Sequence, residues 1–430
     1  MEFQSILFDP SDARGALKLL PDRSAVFALY GEAAHAEPYI GRTPNLRGRL
    51  ERLLLPSAKH PKRLQLAERV RRIEWRLTGS EFESLLLQFE LLEKVYAAKA
   101  LERMHLGAPS FVRFLGSNRY PRVVVTNRPS LREADWAYGP FASRAAAERY
   151  VDEALKLFLL RRCVEELDPN PSHPGCVYSE MKMCLAPCYQ GCTDERYAEE
   201  AAGVERFLAT RGESRLVTLK AERDGASERL EFEQAAALHA QVQKAEAVRA
   251  LAPELVRPLS RLRAVVLQAG AEPDEVAVFL SENGRMMGPA MFSTLGMRIQ
   301  NEQSGSSSLF AQPVAVEAVP EVPVVSDQLS VVSTESGMDT ASAAVRKAAR
   351  GMLEARMEGV LEGLKNAWST PDATVRQGHL ALLKRWYYRP ETKRPGEICF
   401  PAEDGTWPVK AMLRGVGRVA AKSLTGAAVA

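Results

Sequence analysis

The run Tyr39-Ile40-Gly41-Arg42-Thr43-Pro44-Asn45-Leu46-Arg47-Gly48-Arg49-Leu50 constrains this chain more than any other. It reads as the end of a strand entering a helix, with Thr43 as N-cap and Pro44 at the first helical position. Leu46, Leu50 and Leu53 follow at i, i+4 and i+7, which gives the helix one buried face. Arg42 and Arg49 flank the junction, so both are expected to converge on one anion near the helix amides. An amphipathic helix with solvated arginines is the plainer reading of the same residues. Upstream, Ala25-Val26-Phe27-Ala28-Leu29-Tyr30 has strand character, and the loop 31–38 suits an antiparallel pair with the strand at Tyr39. Downstream, Ser80-Glu81-Phe82-Glu83 is an S-x-x-E start signal for a helix cored by Phe82, Leu85, Leu86 and Phe89.

Together these segments resemble the GIY-YIG nuclease domain found at the N-terminus of the UvrC excinuclease family. Tyr39-Ile40-Gly41 is the YIG half. In the GIY half, Ala25 stands for Gly and Phe27 for the motif Tyr. The run Glu83-Ser84-Leu85-Leu86-Leu87-Gln88 is similar to the family's E-A-L-L-L-E, with Gln88 at the metal-binding Glu and Leu53 where another Tyr is frequent. The resemblance implies Tyr39 as general base or relay, Arg49 and Arg42 as phosphate-stabilising cations, Phe27 at the motif Tyr position, and Gln88 at the position of a Mg²⁺ or Mn²⁺ ligand. Hard divalent ions favour carboxylates over amides. Glu90, two residues on, points to roughly the opposite side, and Glu81 lies two turns away.

Between Arg42 and Arg76 there are eleven Lys and Arg against three Glu. That bias suits a phosphate backbone, with Arg42, Arg47 and Arg49 the expected DNA contacts; a solvated helical surface explains it nearly as well. The net charge of +3 alone decides nothing.

Five of six cysteines fall in C-x12-C-x7-C-x3-C-x3-C between Cys163 and Cys192. The start Met1-Glu2-Phe3-Gln4 carries no basic-then-apolar signal, and no apolar run is long enough to span a membrane, so a cytoplasmic location is expected. There, clustered cysteines point to metal rather than disulfides, and all-Cys ligation fits Fe–S or zinc. Cys163, Cys176, Cys184 and Cys188 match the spacing of the UvrC family's [4Fe–4S] ligands, with Zn²⁺ the alternative and Cys192 an extra thiol. Tyr138-Gly139-Pro140-Phe141-Ala142-Ser143 resembles the family's short loop before this region. Arg119–Thr126 reads as a strand entered through a Pro turn, an edge strand or a nucleic-acid contact.

Leu230–Leu238 lies in helical sequence from about Asp194 to Leu251 and resembles the UVR motif, the hairpin through which UvrC meets the helicase UvrB. Phe232, Ala235, Ala236 and His239 share one stripe and are the expected partner contacts; His239-Ala240 replaces the family's Arg-Asp. Ordinary hairpin packing inside the chain is the competing account.

Beyond Leu251 the resemblance fades, with no clear counterpart of the family's RNase H-like nuclease, as in single-nuclease homologues of the Cho type. Ala264–Leu267, Val276–Leu280 and Met286–Phe292 read as strands, the last two joined at Asn283-Gly284. Helices are expected at Ala341–Trp368 and Val375–Tyr388. Leu413–Leu424 resembles half of a helix-hairpin-helix DNA motif, or a plain Gly turn before a terminal helix.

The expected class is α+β multidomain: a GIY-YIG-like unit over 15–105 (a small antiparallel sheet flanked by helices), a β-containing connector and cysteine cluster over 106–200, a UVR-like hairpin over 201–252, a small β region over 253–302, a flexible linker over 303–340 and a helical region over 341–430. The expected function is a UvrC-like DNA-repair endonuclease making a single, 3′-type incision in damaged duplex DNA, with activity impaired at Phe27 and Gln88. The alternative is a catalytically decayed DNA-binding or adaptor protein.

Overall fold

The computed structural model describes residues 3–33, 36–55, 66–295, 297 and 335–427. In the first unit β1 (Gln4–Leu7), α1 (Ala13–Lys18), β2 (Ala25–Tyr30), β3 (Tyr39–Thr43), α2 (Leu46–Leu54), β4 (Arg72–Leu77), α3 (Glu81–Tyr96) and α4 (Lys99–Arg103) follow in order. The sheet order is β1-β4-β2-β3, antiparallel throughout, and β2 pairs with β3 as its hydrophobic run implies. Leu46, Leu50 and Leu53 are buried against Leu17, Leu20, Phe27, Ile73 and Trp75.

The helix start differs from the expectation. Asn45 is the N-cap of α2, accepting from the Gly48 amide at 2.7 Å, whereas Thr43 ends the strand and accepts from the Asn45 amide at 3.2 Å. The residue before a proline is held extended, so the chain turns helical only after Pro44. Ser80 caps α3 as expected, at 3.1 Å from the Glu83 amide, but the Glu83 carboxylate reaches back to the Gly79 amide, one residue beyond the cap.

The second unit comprises β5 (Ser110–Phe114), β6 (Val123–Thr126), β7 (Ala137–Phe141), α5 (Arg144–Ala154), α6 (Val177–Glu180), α7 (Asp194–Ala209), α8 (Glu213–Glu228), α9 (Phe232–Ala250) and β8 (Arg257–Pro258). The sheet order is β6-β5-β7-β8, with β6 at the edge. The stretch from Tyr138 is no loop. Residues 137–141 form the wholly buried strand β7, and only Ser143 turns, as N-cap of α5. Tyr138 and Phe141 join Val112, Phe114, Tyr150, Tyr197 and Phe207 in the core beneath the cysteine segment. Burial of such large rings outweighs the turn chemistry of Gly139-Pro140. Helices α8 and α9 form an antiparallel hairpin closed by Leu216, Leu219, Val242 and Ala245.

The third unit joins two regions expected to be separate. Strands β9 (Arg263–Ala269), β10 (Glu275–Glu282) and β11 (Arg285–Ser293) meander as read, turning at Asn283 and Gly284, both with positive φ. Helices α10 (Glu335–Asn366) and α11 (Ala373–Tyr387) follow, then β12 (Glu397–Cys399) pairs with β9, and α12 (Val409–Ala427) ends the described chain. The linker expectation lies outside the described residues over 303–334, while 335–340 belong to α10. Because β9 and β10 are buried on both faces, they need a layer on each side. Leu353, Met357 and Leu361 of α10 with Met412 and Val416 of α12 cover one face. Leu380, Leu383 and Trp386 of α11 cover the other, together with Phe82, Leu86 and Phe89 of α3.

Gly415 and Gly417 therefore make no turn and no helix-hairpin-helix; they lie inside α12. A Cβ on Gly415 would come within 2.8 Å of the Glu397 carboxylate and 2.9 Å of Leu267, so its absence lets the helix lie close on the sheet. Among the described residues no helix is long and apolar enough to cross a membrane.

Candidate nuclease face and cysteine centre

Strand alternation decides which groups meet at β3. Tyr39 packs on the α2 side, where the Arg49 guanidinium donates to its hydroxyl at 3.4 Å. Phe27 lies behind it, fully buried, with ring centroids 6.1 Å apart. Gly41 is paired with Phe27 across the strands, and a Cβ there would meet Phe27 Cζ at 2.8 Å. The glycine of the Tyr-Ile-Gly run is thus required by the ring that replaces the motif Tyr.

Ile40 and Arg42 face the other way, toward α3. Arg42 reaches Glu81 at 3.7 Å. The structure therefore separates Arg42 from Arg49, contrary to their expected convergence on one anion: Arg42 is three positions on from Tyr39 in the strand, an odd step that puts their side chains on opposite faces. Arg47 does not point to solvent either; it donates to the Leu20 carbonyl at 2.8 Å and pairs with Asp22 at 2.9 Å. Of the basic stretch, Arg71, Arg72 and Arg76 are paired with Glu32, Glu74 and Glu83. Lys59, Lys62 and Arg63 lie outside the described residues.

Two contacts lay α3 along β3. Glu81 at its start meets Arg42, and Tyr96 at its end donates to the Pro38 carbonyl at 3.1 Å. Gln88 lies midway along α3, half-buried, and its amide has no hydrogen bond among the described residues. No neighbouring carboxylate takes its place. Glu81 is held below the usual carboxylate range, first by the hydrogen bond from Arg389 and further by Arg42 and Arg385. Glu90 is pushed up by burial, opposed by Lys94, Arg76 and Arg285. A neutral amide and two engaged or desolvated carboxylates do not fit a hard divalent cation. Among the described residues no three His, Cys, Asp or Glu groups could hold a single metal ion.

The cysteine segment is built differently. Cys188 is buried, while Cys163, Cys176 and Cys184 are half-buried. Burial pushes the Cys184 thiol up to about 11, and Cys163, Cys176 and Cys188 add to the rise. The Ala186 amide donates to Cys184 Sγ at 3.3 Å, and Ala186 is left-handed (φ 56°), reversing the chain between Cys184 and Cys188. Cys192 packs against the middle core and neighbours Cys188 and Asp194. Arg119 and Tyr120, read as possible nucleic-acid contacts, both bond Asp194 at the start of α7.

On the α8–α9 hairpin, Phe232 is 66% exposed, with Leu230 at 70%. Ala236 and His239 are exposed and Ala235 is half-buried. The hairpin closes through other residues, so internal packing does not account for this stripe.

Arg385 and Arg389 were not foreseen. Arg385 lies in the last turn of α11 and Arg389 just past it, and no local pattern there marks them as neighbours of Glu81.

Residues 111–207, from β5 through most of α7, match the family model for the middle domain of the UvrC/Cho excinuclease. The UvrABC system protein C of Ruminiclostridium cellulolyticum is 28% identical over 302 residues, 69% of this chain and 48% of that protein. Those of Symbiobacterium thermophilum (27%, covering 73% of this chain and 51% of that protein) and Carboxydothermus hydrogenoformans (28%, covering 65% and 46%) are similar too. The chain spans about half the length of these curated relatives. No solved structure matches it. With its cysteine-bearing middle matched by that family model and some two thirds of its length aligned to these relatives, the chain is similar to the UvrC family.

Proposed function

We propose that this chain is a DNA-repair protein of nucleotide excision repair whose N-terminal unit is a GIY-YIG-type endonuclease making one incision, of the 3′ type, in damaged duplex DNA. The observation that carries this reading is the Arg49–Tyr39 contact, a guanidinium held against a phenol at the end of an edge strand. In that arrangement Arg49 stabilises the charge that develops on the phosphorane, and the Tyr39 oxygen beside it is placed to relay a proton from the attacking water. Phe27 removes the motif phenol beside Tyr39, and Gln88 offers an amide where a carboxylate would hold the cation that stabilises the leaving oxygen, so cleavage is slow. These two residues favour a second reading, a DNA-binding adaptor without nuclease activity.

We assign the [4Fe–4S] cluster to Cys163, Cys176, Cys184 and Cys188, with zinc as the alternative; its contribution is the folding energy of segment 159–192. The exposed Phe232 stripe supports docking of the helicase UvrB.

The test is nicking of damaged duplex with Mg²⁺ or Mn²⁺. Wild type is expected to nick slowly, Gln88→Glu to nick at least tenfold faster, and Arg49→Ala added to it to remove the gain. Robust wild-type nicking dependent on Tyr39 and Arg49 would overturn the impairment. No nicking by either protein, with DNA still bound, would favour the adaptor. Anaerobically purified protein should be brown with four irons per chain, fading when Cys184 is replaced by Ala. Colourless protein with one zinc would replace the cluster by the ion, and protein with neither would overturn the centre.

A further inference from the structure

Glu81 is the meeting point of two parts of the chain 308 positions apart. Arg42 approaches from β3 at 3.7 Å and Arg389, just past α11, at 3.0 Å. Arg385, one turn earlier, also acts on this carboxylate. It is exposed and makes no ion pair or hydrogen bond among the described residues. One carboxylate thus faces three guanidinium groups, an excess of two positive charges. The first turn of α3 opens at the same place, adding the positive end of its dipole.

This cluster is held firmly. Phe82 lies 5.6 Å from Trp386, ring to ring, and Phe89 crosses Gly378 so closely that a Cβ there would fall 2.0 Å from the ring. Trp386 is tied by its indole N–H to the Pro395 carbonyl at 2.9 Å. Arg385 and Arg389 flank Trp386 and are therefore fixed relative to α3 by a dry interface. Yet the charged ends remain partly exposed, 36% at Arg42, 27% at Arg389 and 40% at Glu81. A lone surface carboxylate is a weak partner for such a set, because exposed pairs contribute little. A phosphodiester presents two oxygens to the planar forks of several arginines at once.

We propose that Arg42, Arg385 and Arg389 form a backbone-phosphate site for nucleic acid on the α3 side of β3, with Glu81 the resident anion that the phosphate displaces. The C-terminal unit is then part of the nucleic-acid face rather than a brace alone. Since β3 is an edge strand, a duplex lying along it meets Arg49 on one side and this cluster on the other. The inference rests on the DNA-binding reading given above and adds to it a site made by residues from both ends of the chain.

The experiment is fluorescence-anisotropy titration of the full chain with several unrelated duplexes across a range of salt, with folding checked by circular dichroism. Arg385→Ala with Arg389→Ala should weaken binding to every duplex by about tenfold or more at low salt and lower the log–log salt slope by about 2, one for each lost phosphate contact. Glu81→Gln should strengthen binding several-fold. If the double variant fails to fold, Arg385→Glu alone, at an exposed and unpaired position, should still weaken binding. Wild-type binding that these substitutions leave unchanged would overturn this site and leave a structural ion pair. Absence of wild-type binding at low salt would overturn the DNA-binding reading itself, and the site with it.

Discussion

Helices α3 and α9 both carry runs that resemble family motifs, yet the fold uses them in opposite ways. Along α3, Phe82, Leu85, Leu86, Leu87, Phe89 and Leu92 are all buried, and much of that burial is against α11 and the β9–β11 sheet, some two hundred or more residues downstream. Along α9 only Val242, Ala245 and Val248 are buried, all in its C-terminal half, and the motif half from Phe232 to His239 stands largely in solvent. A helix wedged between two sheets holds its side chains in register with its surroundings, which suits a site needing fixed geometry. A helix with a free apolar stripe has surface to offer a partner. The resemblance in sequence is of the same kind in both places; the accessibility is what separates a positioning element from a docking one.

The sharpest way to break this contrast is at Phe89. Its removal by Phe89→Ala should cost about 3–5 kcal/mol, the usual loss for a buried aromatic ring, read from denaturant unfolding. A loss under about 1 kcal/mol would mean that α3 is not clamped by the C-terminal unit. Gly378→Ala approaches the same contact from the other helix and should cost about 1–3 kcal/mol by overpacking. Because the two positions touch, Phe89→Leu should recover part of that loss, and strict additivity would place the strain elsewhere.

The interface should also sense pH through His379. This imidazole is buried against Phe89 and accepts from the Met286 amide at 3.0 Å; burial, with Arg285 adding, depresses its pKa to about 3, against a small opposing effect of Asp372. The unfolded chain takes up a proton near pH 6.5, while the folded chain refuses it until far lower. Stability is therefore complete above about pH 6.5 and declines as the pH falls toward 3, by on the order of 1–2 kcal/mol at pH 5. His379→Asn, which keeps an acceptor, should flatten the stability profile between pH 6.5 and 5. An unchanged profile would assign that decline to other groups.

The smallest stability effect is expected on the other helix. Phe232→Ala should shift stability by no more than about 0.5 kcal/mol, as for an exposed residue, while weakening capture of the helicase UvrB about tenfold or more. Marked destabilisation would show that the stripe serves the chain itself, and the contrast with α3 would fail.

Local patterns were readable where local physics decides. The apolar run Ala25–Tyr30 forces a central strand, Ser80 caps whatever helix follows it, and Asn283-Gly284 accepts the positive φ that a tight hairpin demands. The readings that failed are those where a local signal competed with burial. Gly139-Pro140 signals a turn, but Tyr138 and Phe141 are drawn into a core and keep the strand extended. Gly415 and Gly417 signal a break, but Met412, Val416, Val419 and Ala420 recur on one helical face and bury against the sheet. In both, large apolar area outweighs the modest backbone preference of glycine.

The sequence by itself determined the strand–helix junction at Tyr39–Leu53, the similarity to the UvrC family and the clustering of cysteines along its middle, because each depends on residue type and spacing within a short window. Tertiary structure alone decided that Arg42 and Arg49 lie on opposite faces of β3, that three residues near Ile398 complete the sheet begun at Arg263, and that Arg389 meets Glu81. No window of sequence holds these facts. They follow from two double-faced strands needing cover on both sides, and from the way that cover brings α11 against α3.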